Sequence, residues 1–498
     1  MMKYNVFGLG VLVVGLVAGC PQSPGQICDN GGCDPLDGGM DTSSSDGQPP
    51  TDARPDAMTD ADADADANLP PGCDTPNEPL KNPGKCLVDA FGSFVSPGGD
   101  DANDGTIARP YKTIGKALLG AKARIVACEG TYPGSLEVKR DVELYSGVDC
   151  TFTKIGGKAK VTASKPEYGV KIEKAMLLAD VEVTAAAGTE ASPNSVGVWV
   201  VNAPSVTMRR VSVTAKDGFK GADGAGGTIG TYVTGNGNGN PAAATSEGAA
   251  KICMCTSGGS TKGARGGPGD GFPGLPGEDA IPARPPGNDG AGGINASCGA
   301  VEPNGTGNNG ADRATGMDAP KVTVLGKLES SGPWTPSPGG DGVTGLPGQG
   351  GGGGGSRGAN SWGGGGGCGG TGGKGGAGGG ASIALLSASS TIMLDSCVLT
   401  AGTGGTGGTG GTGGPGGPGA AGGGSLSGCS GGDGGQGGQG GAGGGGAGGL
   451  SVAILYKGTK PGGNATYTFG TPGSGGKGGA SGVNDGPVGV AQNEYEVQ

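Results

Sequence analysis

Histidine is absent from this chain. That removes Ser–His–Asp and Cys–His arrangements, HExxH zinc sites and the commonest general base together. Oxygen, guanidinium, sulfur and indole groups remain. Asp100, Asp101, Asn103 and Asp104 crowd four oxygen-bearing side chains into one short run. Such a set suits a hard cation such as Ca2+, and Asp100, Asp101 and Asp104 are the candidate metal ligands. The same spacing suits an Asx-rich turn, in which the side chains bond their own backbone. Arg209 and Arg210 could serve as a base, but no carboxylate cluster lies near them in sequence, and a solvated outer face is the plainer expectation. Cys253-Met254-Cys255 supplies half a metal site, with no histidine or other close-spaced pair to complete four ligands. Trp199, Trp334 and Trp362 could stack on sugar rings. Trp199 falls in an apolar run and reads as core, so Trp334 and Trp362, beside glycine tracts, are the carbohydrate-binding candidates. No catalytic pattern emerges residue by residue.

These groups need a scaffold, and composition limits what it can be. The chain has 498 residues, of which 124 are glycine, with 33% hydrophobic and 4% aromatic residues. The buried core must therefore be small for the length. The net charge of −11 is mostly local: eleven aspartates and one arginine, Arg54, lie between Asp29 and Asp66. An acidic chain without a basic stripe has no electrostatic footprint for nucleic acid.

Residues 1–20 read as a targeting segment. Lys3 precedes an apolar stretch from Val6 to Val17, and Val17-Ala18-Gly19-Cys20 closes it with small residues before a cysteine. This resembles the lipobox of bacterial lipoproteins, which implies that Cys20 is lipidated, becomes the mature N-terminus and holds the chain to membrane lipid. Pro21 stands where inner-membrane retention in enteric bacteria uses Asp, which favours the outer membrane, facing the cell surface or the periplasm. No later apolar run is long enough to cross a membrane. Twelve cysteines are left, and an exported chain can oxidise them. Cys28/Cys33, Cys73/Cys86 and Cys128/Cys150 are plausible local pairs. Residues 21–72 form an acidic Asp/Ala/Pro linker that buries too little to order itself, so a disordered stalk is expected; a calcium-collecting strip is the sharper alternative.

Beyond it the folded part, 73–498, begins with turn chemistry. The run "SPGGDDANDGTIARPYKTIGKAL…ARIVACEGTY" places Ile114, Ala117, Leu118 and Ala121 on one helical face. Ile125-Val126-Ala127-Cys128 then reads as a strand, and Glu129-Gly130-Thr131-Tyr132 as a turn. This stretch of about forty residues resembles the opening of pectate-lyase-like right-handed parallel β-helix proteins, where a short helix caps the first coil. The resemblance implies an all-β fold; it does not imply an activity, because lyases, hydrolases and adhesins share that fold. Lyases of this kind use a carboxylate-bound Ca2+ and a Lys or Arg base on the parallel sheet, and nothing here matches that set.

Lining the chain against itself gives a repeat. Val181–Ala185, Val211–Ala215 and Cys397–Ala401 end alike, in Thr-Ala for all three. Upstream, Val198–Val201 corresponds to Ile383–Leu386 and to Val452–Leu455, and Val206–Met208 to Ile392–Leu394, with a fragment at Val322–Val324. Short β-branched strands at fixed separation fit stacked rungs better than a hairpin-joined sandwich. The glycine-rich stretches at about 217–318, 333–380, 402–449 and 470–487 then become insertions at one corner. Collagen is excluded by broken register, and calcium-binding nonapeptides by the scarcity of regularly placed Asp. Flexible loops and a bundle of polyglycine-II-like helices remain, and the Gly-Gly-X triplets favour the bundle. A surface-displayed structural, adhesive or carbohydrate-binding element is the expected function, ahead of a polysaccharide lyase or hydrolase.

Overall fold

The computed structural model describes residues 70, 72–73, 75, 78–239, 252–267, 270–272, 290–294, 298, 305–357, 362–424, 429–480 and 482–497. Cys20, the Cys28/Cys33 pair and the acidic stretch to 69 lie outside the described residues. The chain is nearly all β, 27% strand and 3% helix. An eleven-stranded and a six-stranded sheet contain only parallel pairs. The larger sheet forms two faces, because Ile392–Thr400 pairs through its first half with Val206–Arg209 and through its second with Ser212–Thr214.

Register explains the interior. On the first face Ile125, Leu144, Leu178, Met208 and Leu394 stand in one column. On the second, Tyr132, Val161, Val183, Val213 and Leu399 do the same. The six-stranded sheet adds Leu136, Val170, Val198, Leu385 and Ile454. All three columns meet in one apolar core. Alternation at period two points these residues inward, and parallel stacking repeats them at about 4.8 Å. One end is covered by the helix Ile114–Leu118, whose Thr113 caps the Lys116 amide. At the last rung the third column ends instead on Glu494, met by Lys460 and Tyr467.

Bends between strands recur in register. Asp180, Arg210 and Ser396 have φ of 58°, 50° and 55°, and Asn202, Ser389 and Gly458 have 52°, 51° and 94°. Left-handed backbone at non-glycine residues is strained, and here it repeats rung after rung.

Three expectations change. Gly130–Pro133 is a strand, not only a turn, entered through Gly130 at φ 137°. Val322–Val324 joins neither sheet. Val196 pairs with Ile383 and Val198 with Leu385, two residues from the alignment made by sequence; a two-residue slip keeps every side chain on its face, so the pattern alone does not detect it.

The glycine tracts form a second hydrogen-bonded array. Amides of Gly405, Gly408, Gly411, Gly414 and Gly417 donate to the carbonyls of Gly380, Ala377, Lys374, Thr371 and Cys368. Gly404, Gly407 and Gly410 donate to Thr471, Ser474 and Lys477. Every third residue faces the same neighbour, the periodicity of a polyproline-II-type helix, which has no internal hydrogen bonds. The tract 431–449 bonds on all sides, to 402–423, 363–380, 339–349, 307–319, 473–479 and 484–487. Most of its glycines are obligatory by contact: a Cβ on Gly440 would run into the Thr371 carbonyl, and one on Gly437 into that of Cys368.

Gly440→Ala should therefore destabilise the array by about 1–3 kcal/mol, whereas Thr406→Ala, at an exposed outward position, should stay within about 0.5 kcal/mol. Limited proteolysis of the 402–449 segment will separate the two variants.

Candidate functional site

The aspartate-rich turn is consumed by its own backbone. Asp101 Oδ1 accepts from the amides of Lys112 and Thr113 at 3.0 and 2.8 Å, and Oδ2 from the Thr113 hydroxyl at 2.8 Å. Burial pulls this carboxyl's pKa up, but the Thr113 and Lys112 hydrogen bonds, with Lys116 nearby, outweigh it and leave it below the ordinary value. Asp104 accepts from the Thr106 hydroxyl and amide, which hold its pKa low as well. Asp100 receives the Ala102 amide, and Asn103 donates to the Pro110 carbonyl. Among the described residues no group of three His, Cys, Asp or Glu side chains is placed to hold a metal ion. Asp100, Asp101 and Asp104, the expected calcium ligands, serve as turn and helix-entry supports through these hydrogen bonds.

The indoles are inside. Trp334 is 2% exposed, Trp362 5% and Trp199 7%, so no ring face is open for a sugar. Trp334 sits on the hairpin Gly326–Leu328/Trp334–Pro336 and packs with Leu328 into a second apolar cluster against Trp199, Ile383 and Leu386. The Lys171 ammonium lies 4.7 Å from the Trp199 ring centre, a cation–π cover. Trp334 is buried because the stretch between glycine tracts folds back as a hairpin over the six-stranded sheet, and Trp362 is buried beside the glycine array, its carbonyl taking the Gly423 amide.

Arg209 and Arg210 are paired rather than merely solvated. Arg209 reaches Glu78 at 3.1 Å, and Arg210 reaches Asp180 at 2.7 Å and Glu78 at 3.4 Å. They pin the N-terminal segment, itself closed by Cys73–Cys86, to the rungs. Cys128 pairs with Cys150, as its spacing suggested. Cys255 pairs with Cys368 and Cys298 with Cys429, so the Cys253/Cys255 metal half-site does not exist. Cys397 carries a buried thiol, so the even count of twelve is not wholly spent on disulfides.

What the structure does assemble is a hydroxyl-bearing surface. Thr162, Thr184, Thr214, Thr400 and Thr468 stand side by side on the outer side of the second face. Each Thr-Ala ending places its threonine outward and its alanine in contact. The rows continue into the glycine array without a break in lateral bonding: Ala215, Gly218 and Gly221 donate to Thr400, Thr403 and Thr406, while Ala401, Gly404 and Gly407 donate to Thr468, Thr471 and Ser474. Thr403, Thr406, Thr409 and Thr412 are exposed, and a three-residue turn spaces them by about 9 Å.

The glycine array also carries aspartates that no sequence argument singled out. An amide that meets no backbone carbonyl needs another acceptor. Asp217 and Asp223 take the Thr403 and Thr409 amides at 2.7 and 2.8 Å. Asp312 and Asp318 take those of Gln436 and Ala442, Asp341 that of Gly375, and Asp485 that of Gly478. The available signal was their spacing, two turns apart in 217/223 and in 312/318. The Thr409 amide, the Lys220 ammonium and the Thr409 hydroxyl bring the Asp223 pKa down to about 2. Lys374 and the Gly375 amide lower that of Asp341, and Lys477 and the Gly478 amide that of Asp485.

No family model matches the chain, and no curated protein matches its sequence. Parts of solved structures overlap it. A rhamnogalacturonan lyase is 16% identical over 24% of this chain and 35% of its own, with a TM-score of 0.20. A GH136 lacto-N-biosidase from Eubacterium ramulus is 15% identical over 24% of this chain and 26% of its own, with a TM-score of 0.19. The chain spans about a third and a quarter of the lengths of these proteins, and an overlap this small says nothing about substrate or site residues.

Asp101→Ala should lower thermal stability by about 1–3 kcal/mol, by the same amount with and without added Ca2+; a calcium-dependent difference in melting would restore the metal site. The array carboxylates make a second test. The folded pKa values of Asp223, Asp341 and Asp485 are depressed, so the stability these three add is present above the ordinary carboxylate value and is lost as pH falls through the folded values. The melting temperature should drop as pH is lowered from about 4 toward 2, and Asp223→Asn should flatten part of that slope.

Proposed function

We propose that the chain is an exported, lipid-anchored surface protein whose right-handed parallel β-helix displays a polyglycine-II-like bundle as a structural or adhesive element contacting carbohydrate. One observation supports this reading above others: the hydroxyl rows run from the stacked threonines into the bundle as a single extended face, Thr214 to Asp223 beside Thr400 to Thr412 beside Thr468 to Lys477. A rigid, regularly spaced display of short polar groups suits contact with a repetitive polymer; catalysis needs a few groups converging on one reacting bond. Among the described residues the charged clusters are tied up in pairs: Arg124 with Glu143, Arg209 with Glu78 and Asp395, Arg210 with Asp180.

The membrane attachment rests on the small-residue run before Cys20. Acylation there, reinforced by the several chains that bacterial lipoproteins carry, would anchor stably. The outer membrane is the location that Pro21 favours, and the acidic residues to Asp66 would hold the body away from the lipid.

The alternative is a polysaccharide lyase or hydrolase. A soluble form of residues 73–498, passed over a panel of polysaccharides with and without Ca2+, distinguishes the two. Retention without turnover is expected, and the triple variant Thr403→Lys/Thr406→Lys/Thr409→Lys should elute early. Release of unsaturated or shortened products would replace this reading with the enzymatic one. Fatty-acid labelling of the full chain should mark the wild type and vanish in Cys20→Ser.

A further inference from the structure

The two halves of the molecule are held by different forces. The stacked sheets enclose an apolar core that includes Ile125 and Ile454, and its burial drives their folding. The glycine array has almost none of that. Along 431–449 the buried side chains with any carbon to hide are Ala442 and Ala447. Each ordered glycine gives up more backbone freedom than any other residue. In return it gains a lateral amide bond, whose net worth after loss of water is of the same size as that entropy. An array so balanced assembles only if something else restricts the open chain.

The disulfides divide along the same line. Cys73–Cys86 and Cys128–Cys150, in the sheet-bearing part, span 13 and 22 residues. Cys255–Cys368 and Cys298–Cys429 span 113 and 131 residues. Closing long loops removes the most freedom from an open chain, and both long bridges attach to the most heavily bonded tracts. They attach at the far ends. The tract 363–380 carries Cys368 in its second turn, on the side away from the rung Ser382–Ala388 where it finishes. The tract 431–449 starts by Cys429 and finishes at the rung Ser451–Lys457. The sheets fix one end of each tract, and a bridge fixes the other.

We propose that Cys255–Cys368 and Cys298–Cys429 form a redox lock: with both bridges made the glycine array is assembled, with all four sulfurs as thiols it opens, and the stacked sheets stay folded in either state. Each closing step joins two cysteine thiols through an S–S bond. Two protons leave, and two electrons pass to the disulfide of a thiol–disulfide oxidoreductase, which departs as a dithiol. Opening is the reverse exchange with a dithiol reductant, which leaves as its own disulfide. The exported location proposed above is what would supply the oxidant; the lock itself depends only on the chain, and a purified sample tests it whether or not Cys20 is acylated.

The oxidised protein is treated with dithiothreitol and followed by amide hydrogen exchange with peptide-level mass spectrometry. Peptides from 363–380 and 431–449 are expected to exchange faster by on the order of a thousand-fold per bridge lost. Peptides covering Met176–Ala179 and Val206–Arg209 should keep their protection, and glutathione disulfide should restore the array. Because the reductant also reaches the two short bridges, the variant Cys255→Ser/Cys298→Ser/Cys368→Ser/Cys429→Ser is measured without reductant and should show the open array over intact rungs. Array amides as protected in the reduced protein and in the variant as in the oxidised wild type would overturn the proposal. So would loss of the rungs together with the array, since the two would then be one cooperative unit.

Discussion

Backbones in the glycine array approach so closely that no side-chain carbon fits between them, and the rest of the molecule is arranged around that approach. A Cβ on Gly408 would strike the Ala222 carbonyl, and one on Gly443 that of Lys374. Two of every three residues must therefore be bare, and the third points out. That rule explains why Thr, Gln, Lys and Asp occur singly among paired glycines. It also explains why the array borrows its starting geometry from the sheets: amides and carbonyls already aligned along Ser212–Thr214, Ile392–Thr400 and Gly462–Thr468 set the lateral register of the tracts that follow them.

Much of this was legible from residue order. The Thr-Ala endings marked where strands stop and excursions leave, and the Gly-Gly-X triplets pointed to three residues per turn. The interior columns followed from β-branched strands at a fixed repeat. Register within the six-stranded sheet was not legible to better than two residues, because apolar runs such as Ser382–Ala388 look alike under that shift. The positions of Trp334 and Trp362 were not legible either. Their neighbours in sequence are mostly small or turn-forming residues; the surface that buries Trp334 belongs to rungs far away along the chain, and Trp362 lies among glycine tracts. Pairing of Cys255 and Cys298 had the same obstacle, with partners more than a hundred residues downstream.

The acidic residues show how one residue type serves different ends. Asp101 fastens a turn to a helix start, Asp180 fastens Arg210 at a left-handed bend, and Asp217 or Asp318 takes a backbone amide of the glycine array. In each case a carboxylate meets donors that water would otherwise have to satisfy, and none of the three arrangements gathers oxygens around an empty centre. A hydroxyl-rich face beside such carboxylates is rigid and well solvated.

The position of the tract 431–449 in the chain sets a timetable for a nascent molecule. Its partners around 307–319 are made 124 residues before it, and the strips at 473–479 and 484–487 only after it. During synthesis each earlier glycine segment therefore waits without the strand that will lie at its centre. Contacts of such long range form slowly. The earlier segments therefore lack their shared central partner until the ribosome has passed residue 449.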